Sequence, residues 1–371
     1  MDSYFAVAAP GLEPFTAEEL RWLDLAPAIE PGGVAFKGDL TGLYRANLRL
    51  RTASRILARL GNFFYATSFP ELQKRASRLP WERFLTPGQP LSLRVTCHRS
   101  KLYHSDAVAR TVAAAITGRL GRPSPLVKAD EENDQTPQLV VVRLADDQCT
   151  VSVDSSGTLL HKRGYRQAVA KAPLRETLAA ALVMASGWDK VSPLLDPFCG
   201  SGTIPIEAAL MALGIPAGIN RRFAFMDWPN FDENLWQSLR SPSPILYPPF
   251  SIFASDRDAG AIKMAQANAE RAGVADAIEF KCQAVSSITP PHKAGWVVAN
   301  PPYGLRISEG RDLRNLYAQF GNVLREKCPG WQVSVLCSAP ALLGQMRIPL
   351  DTSLGLVNGG INVRLGRGNI S

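Results

Sequence analysis

From about residue 172 the chain repeats one pattern: a short apolar run, a turn, then a helical stretch. The runs are "PLLDPF", "SIFASD", "AIEFKCQ", "GWVVAN" and "WQVSVLCS". Between them lie "TIPIEAALMAL", "DAGAIKMAQANAERAG" and "DLRNLYAQFGNVLREK". Strands that are apolar on both faces need helices on both sides, and strand–helix–strand units close with one hand. The pattern therefore predicts a doubly wound, Rossmann-like α/β sheet, mainly parallel. The final stretch, "SLGLVNGGINVRLGR", places Asn358 and Gly359 between two alternating runs, which predicts a terminal antiparallel hairpin.

The first half reads differently. Residues 1–65 alternate a strand ("YFAVAA"), a helix ("PFTAEELRWL", with Thr16 as N-cap and Glu19 in the capping-box position) and a strand ("GGVAFKG"). "LTGLYRANLRLRTASRILARL" then reads as one long helix. It carries Arg45, Arg49, Arg51, Arg55 and Arg59, with no acid between Gly42 and Pro70, and at helical spacing these arginines share a broad face. Residues 66–155 hold a helix in "ELQKRASRLPWERFL", a strand in "PLSLRVTCHRS", and a helix in "SDAVARTVAAAITGRLG" with Ser105 as cap. Two strands around "ADDQ" follow, as expected for a small α+β domain with an antiparallel sheet. The polar stretch "KADEENDQTP" reads as a loop. Residues 156–171 form a basic linker; the connector "HKRGYRQAVAKAPLRE" begins within it and carries Lys162, Arg163, Arg166, Lys171 and Arg175 before a single acid. Residues 214–250 are an insertion rich in Pro, Trp and Phe.

The formal charge of +8 leans toward a polyanionic partner. Cysteines at 97, 149, 199, 282, 328 and 337 and histidines at 98, 104, 161 and 292 lack the spacing of a disulfide frame or a metal site, so no metal is expected and the thiols read as reduced. No apolar run reaches membrane-span length, and the start lacks the basic and apolar regions of a signal peptide. The expectation is a cytoplasmic protein.

Two stretches carry chemistry. In "LLDPFCGSGTIPIEAA" a strand ends at Asp196, a tight turn uses Gly200 and Gly202, and a helix starts near Thr203. The turn differs from both the dinucleotide and the phosphate-binding loops, and Asp196 stands where a phosphate would go, which suits a cationic amino-acid end. "FASDRDAGA" ends the next strand at Asp256, where such sheets bind ribose hydroxyls. In "VVANPPYGLRI" a buried strand stops on Asn300, Pro301, Pro302 and Tyr303. Proline cannot continue a ladder, so the motif is a stiff turn or a rigid platform offering an amide oxygen, a carbonyl and an aromatic face.

"DPFCGSGT", "ASD" and "NPPYG", in that order, resemble the motifs of class I S-adenosylmethionine-dependent methyltransferases. The Asn-Pro-Pro-Tyr form resembles that of enzymes acting on exocyclic amines of nucleobases. "DSSGTLLHKRGYR", "KAPLRETLAAALVMASGW", "RRFAFMDW", "LRNLYAQFG" and "NGGINVRLGR" extend the likeness to the RlmL family of ribosomal RNA guanine-N2 methyltransferases, over nearly the whole chain. The resemblance implies a ferredoxin-like domain at 1–65, a THUMP RNA-binding domain at 66–155, and a methyltransferase domain at 172–371. Its cofactor would be S-adenosylmethionine, held by Asp196, Phe198, Gly200, Gly202, Thr203, Asp256, Arg257 and Asn300. Where the family has an acid near the adenine, this chain has Gln283 and Ala284, and Gln283 or Ser286 takes that place.

The implied reaction needs positioning more than acid–base chemistry. A guanine amine is a poor nucleophile; the Asn300 oxygen and the Pro301 carbonyl would accept its two N–H bonds while Tyr303 stacks on the base. The expected partner is structured RNA, ribosomal before transfer RNA, touched by Arg45, Arg49, Arg55, Arg59, Arg94, Arg99, Lys101, Lys162, Arg163 and Arg166. The alternatives are a transfer RNA guanine-N2 enzyme, an adenine-N6 DNA methylase, and an RNA-binding protein without catalysis. A cysteine nucleophile at Cys199 and a nicotinamide-dependent oxidoreductase are the chemically distant rivals.

Overall fold

The structure, a computed structural model, describes residues 1–128, 137–166, 174–240, 251–290, 294–303 and 313–371. Its first elements are β1 (Asp2–Ala8), α1 (Glu13–Trp22), β2 (Pro27–Glu30), β3 (Gly33–Gly38), α2 (Leu40–Arg49), β4 (Ala53–Arg59) and β5 (Phe64–Tyr65). They are followed by α3 (Phe69–Ala76), β6 (Leu91–His98), α4 (Ser105–Leu120), β7 (Gln138–Ala145) and β8 (Gln148–Asp154). The later elements begin with α5 (Glu176–Ala185), β9 (Leu194–Asp196), α6 (Thr203–Ala212) and α7 (Glu233–Arg240). Then come β10 (Ile252–Asp256), α8 (Ala259–Ala272), β11 (Ile278–Cys282), β12 (Trp296–Ala299), α9 (Leu313–Lys327), β13 (Gln332–Cys337), α10 (Pro340–Gln345), β14 (Asp351–Asn358) and β15 (Ile361–Asn369).

Two compact units emerge, and neither is continuous in sequence. The first comprises Met1–Ala8, Thr16–Leu160 and Arg221–Ser241; the second comprises Ala9–Phe15, His161–Asn220 and Pro242–Ser371. In the first unit one sheet runs β2-β3-β1-β4-β8-β7-β6, with β5 pairing β8. Residues 1–65 and 66–155 therefore share a sheet through the β4–β8 pair. Only part of this sheet matches the antiparallel expectation, because β6 and β7 are parallel. The crossover that a parallel pair needs is long enough here to hold α4.

The arginine-rich stretch is not one helix. Leu50 leaves α2 with extended dihedrals (φ −65°, ψ 127°). The amides of Arg51 and Thr52 turn aside to donate to the Glu19 carboxylate at 2.7 and 3.0 Å, and the Thr16 and Thr52 hydroxyls meet at 2.8 Å. Thr16 and Glu19 are thus buried inside α1 and hold this turn, rather than capping the helix. Beyond it β4 pairs with β1 and β8, so its residues alternate between sheet faces instead of following a helical stripe. Arg55 is buried, ion-paired with Asp154 and donating to the Gly157 carbonyl at 2.7 Å. Arg59 pairs with Glu30 and lies 4.8 Å over the Phe5 ring. Ser105 is the first residue of α4, and the cap position falls on His104, which makes no side-chain capping bond.

The aromatic insertion also folds where the local pattern did not place it. The part from Arg221 to Ser241 belongs to the first unit. There Phe225 stacks on Tyr44 with centroids 4.4 Å apart, Phe223 and Trp236 complete the cluster, and the Asp232 amide donates to the Tyr44 hydroxyl. The "KADEENDQTP" loop falls mostly outside the described residues.

The second unit carries a seven-stranded sheet in the order β11-β10-β9-β12-β13-β15-β14. Strands β9 to β13 pair in parallel, and β15 runs antiparallel to β13. This is the doubly wound sheet expected from the repeating pattern, with its terminal hairpin. The hairpin turn is one residue later than predicted. Asn358 pairs with Ile361, and Gly359 and Gly360 form the two-residue loop with φ of 56° and 85°. Positive φ at both positions suits the twist of the strands and favours glycine. Asp258 caps α8 by accepting from the Gly260 and Ala261 amides. Replacing it with alanine is expected to cost about 1 kcal/mol in urea unfolding.

Candidate active site

The sheet reverses its winding between β9 and β12, and ligands in such sheets bind at that point, beyond the carboxyl ends of the strands. The register places Asp196 level with Ala254 on β10, and Leu195 level with Val297 on β12. Asp196, Asp256 and Asn300 accordingly finish three adjacent strands on one edge.

The glycine turn is held from the neighbouring strand. Asp256 Oδ2 accepts from the Gly200 amide at 3.1 Å, its Oδ1 accepts from the Asp258 amide, and the Cys199 amide donates to the Ser255 carbonyl. Gly200 has φ 51°, and a Cβ there would meet no protein atom within 4 Å. Gly202 has φ 85° and is closely approached by Ala265, 3.0 Å from where its Cβ would lie. The first glycine leaves room for a ligand; the second lets α6 pack on α8. Gln283 follows β11 and donates its amide to the Asp256 carbonyl at 2.9 Å, while Arg257 is exposed beside it.

Asp196 is 1% exposed; its Oδ1 accepts from the Phe198 amide, and its Oδ2 has no partner. Burial, and secondarily the charge of Asp256, push its pKa up to about 8. A buried carboxylate in this state is completed by a cation. The methionine ammonium of S-adenosylmethionine would supply one, beside the space left open at Gly200. The residues present fit that cofactor. Cys199 does not fit a nucleophile: burial, with Asp196 and Asp256 nearby, raises its pKa and keeps the thiol protonated.

Beyond β12, Asn300 Oδ1 is likewise buried without a partner. The prolines that follow leave the ladder, and the turn is held from below. The Tyr317 hydroxyl of α9 donates to the Pro302 carbonyl at 3.3 Å and lies 3.3 Å from Cys337 Sγ. Tyr317 is fully buried, and burial drives its pKa far up, so the donor stays protonated. Tyr303 and Phe198 sit half-buried against the cluster around Phe320 and Val335. Nothing in the local sequence marks Tyr317 as part of the platform; its spacing in α9 reads only as an apolar face.

Several sequence-predicted site residues do other work. Thr203 accepts from Arg166 Nη2 at 2.6 Å, and the same nitrogen donates to the Leu174 carbonyl. Arg166 also lies 3.4 Å from Glu176, and Arg163 is buried 3.5 Å from Glu207, which accepts from the Tyr165 hydroxyl. The buried carboxylates of Glu176 and Glu207 require these cations, which removes Arg163 and Arg166 from a phosphate-facing surface. Lys162 is half-buried, and Lys171 lies outside the described residues. In the first unit, Arg94, Arg99 and Lys101 are exposed, while Arg45 and Arg49 are half-buried on α2. Burial and the neighbouring Arg45 lower the pKa of Arg49. Arg55 is internal, as described above.

No helix among the described residues is long and apolar enough to cross a membrane. The models of three protein families match the chain. Residues 3–57 match the RlmL ferredoxin-like domain, 66–154 the THUMP domain, and 163–362 the RMKL-like methyltransferase domain. The chain is 34% identical over 366 residues to slr0064 of Synechocystis, covering 96% of this chain and 94% of that protein. It is 38% identical over 336 residues to YpsC of Bacillus subtilis, covering 90% and 87%. Both relatives are provisionally named RNA methyltransferases. Among solved structures, the methyltransferase-like SMU.472, complexed with SAH, superposes with a TM-score of 0.87 at 30% identity, covering 100% of this chain and 98% of that one. TrmN from Thermus thermophilus, at 22% identity and a TM-score of 0.72 with complete coverage of both chains, shares the fold. With a site that fits S-adenosylmethionine and a family match over more than half its length, the chain belongs to the RMKL-like methyltransferase family, carried together with RlmL ferredoxin-like and THUMP domains.

Proposed function

We propose that this protein methylates the exocyclic N2 amine of a guanine in structured RNA, with large-subunit (23S) ribosomal RNA as the target, in the cytoplasm. The observation that carries the reading is the buried, unpartnered Asn300 Oδ1 at the end of β12, one residue before the Pro301 carbonyl. Leaving such an acceptor unpaired costs about 1–3 kcal/mol, an arrangement that makes sense where a substrate N–H completes it. S-adenosylmethionine, when bound, supplies an electrophilic methyl group on a sulfonium. Asn300 Oδ1 and the Pro301 carbonyl would then accept hydrogen bonds from the two amine N–H groups and aim the nitrogen lone pair at that carbon. Transfer would form the C–N bond as the S–C bond breaks, with the extra proton on nitrogen leaving to water. Tyr303 offers its ring to the base, which must leave its stack to reach the site. The THUMP match and the names of the two relatives support RNA over DNA.

Nucleoside mass spectrometry on ribosomal RNA, transfer RNA and DNA from cells lacking the protein tests the assignment. Loss of N2-methylguanosine from the large ribosomal RNA is expected. Its loss from transfer RNA alone would move the target, and loss of N6-methyladenine from DNA would overturn the reading. The exposed Arg94, Arg99 and Lys101 make a second prediction. Changing all three to glutamate should weaken RNA binding and flatten its dependence on salt, because fewer counterions are released. An unchanged slope across a salt series would exclude this edge as the phosphate contact.

A further inference from the structure

Tyr303 is steadied by a residue from the far end of the sheet. Asn358 Nδ2 donates to the Tyr303 hydroxyl oxygen at 2.9 Å. The two are distant in sequence, and topology brings them together. Strand β15 is antiparallel to β13, with Cys337 opposite Arg364, so β15 begins on the edge where the parallel strands end. The β14–β15 turn therefore lies on the ligand side of the sheet. The Gly359-Gly360 loop reverses the chain in two residues and keeps Asn358 in register with Ile361 at the tip. Leu356 and Val363, paired and buried, anchor the hairpin just below.

We infer that Asn358 is a positioning residue for the target base: it fixes where the Tyr303 ring lies by holding the phenol oxygen at its tip. A tyrosine side chain has two principal torsions, and its base lies in a proline-stiffened turn that Tyr317 holds through the Pro302 carbonyl. A hydrogen bond at the far tip removes the remaining swing. The place of the ring that would meet a flat base is then set before the base arrives, and pre-set geometry acts on turnover more than on cofactor binding. The inference rests on reading Tyr303 as the stacking face of the proposed RNA methyltransferase.

The test compares Asn358→Ala, Tyr303→Phe and the double variant. The assay is methyl transfer from labelled S-adenosylmethionine to RNA from cells lacking the protein. Each single change should lower kcat about tenfold, the scale of one neutral hydrogen bond, with cofactor affinity within about twofold of wild type. The double variant should be no slower than either single one, because both remove the same contact. A double variant slower by the product of the two factors would overturn the inference, assigning Asn358 to the hairpin's own stability. A second readout needs no RNA. In protein labelled with [13Cζ]tyrosine, the Tyr303 signal is the one of eight that Tyr303→Phe deletes. It should shift in Asn358→Ala, and an unmoved signal would refute the contact. If wild-type protein leaves the RNA unlabelled, the substrate reading fails while this spectrum still decides the contact.

Discussion

Asn300→Ala should lower methyl transfer by about 10²-fold or more, as the loss of one well-placed polar group at a reacting centre does elsewhere. The reason is geometric. Asn300 follows the last residue of β12, its Oδ1 is buried without a partner, and the next two residues are prolines whose turn Tyr317 pins. The acceptor therefore has one direction, set before substrate binds. Alanine removes the acceptor and leaves the turn, so unfolding midpoint and cofactor affinity should stay near wild type. Asn300→Asp keeps an oxygen in the same place and should recover part of the lost rate. If Asn300→Ala kept most of its turnover on RNA, the motif would be only a stiff turn, and the amine would have to be held elsewhere.

Asp196→Asn is expected to weaken S-adenosylmethionine binding about 10- to 100-fold, the range for losing a hydrogen bond to a charged group. The pH behaviour is the sharper result. With a pKa near 8, the ligand-free carboxyl is mostly protonated at pH 7. Holding an ammonium requires the carboxylate, so binding at pH 7 should release a proton from Asp196, visible as a buffer-dependent calorimetric enthalpy. In Asp196→Asn that release should vanish. Stability moves the opposite way. The folded-state pKa lies above the ordinary value of 3.8, so the native state holds the extra proton between about pH 4 and pH 8. Stability from this group is complete below that window and is lost as pH rises through it. An uncharged amide in that place carries no such penalty, so Asp196→Asn should melt higher than wild type at pH 8 without cofactor, with the gain shrinking toward pH 5. Identical pH profiles for the two proteins would mean that Asp196 is ionised and paired across this range.

The sheet that bears the site was legible because its signals are local. Apolar runs with terminal turns, the glycines after Asp196 and the prolines after Asn300 each restrict backbone geometry within a few residues, whatever surrounds them. That is why β9, β10, β12 and the edge holding Asp196, Asp256 and Asn300 follow from the chain itself. The arginines show the opposite case. Arg45 to Arg59 look helical in isolation, but the buried Glu19 draws the amides of Arg51 and Thr52 out of the helix, and β1 and β8 claim the following residues as a strand. A long-range acceptor and two ladders outweigh local propensity, and neither can be seen in a window of that stretch.

The roles of charged and aromatic side chains were least legible, because a residue type does not say what it will meet. Arg163 and Arg166 look like an RNA-facing run until Glu207 and Glu176 are found buried beside them. The aromatic residues after Arg221 have no periodic signal, and their place is set by Tyr44 in the first unit. The sequence alone therefore determined the sheet, the glycine turn after Asp196 and the proline turn after Asn300, since these are written in backbone-restricting residues. Only the tertiary structure decided which arginines are internal ties and that Tyr317 and Asn358 bond to the turn after Asn300, because those contacts join positions that only folding brings within a hydrogen bond of each other.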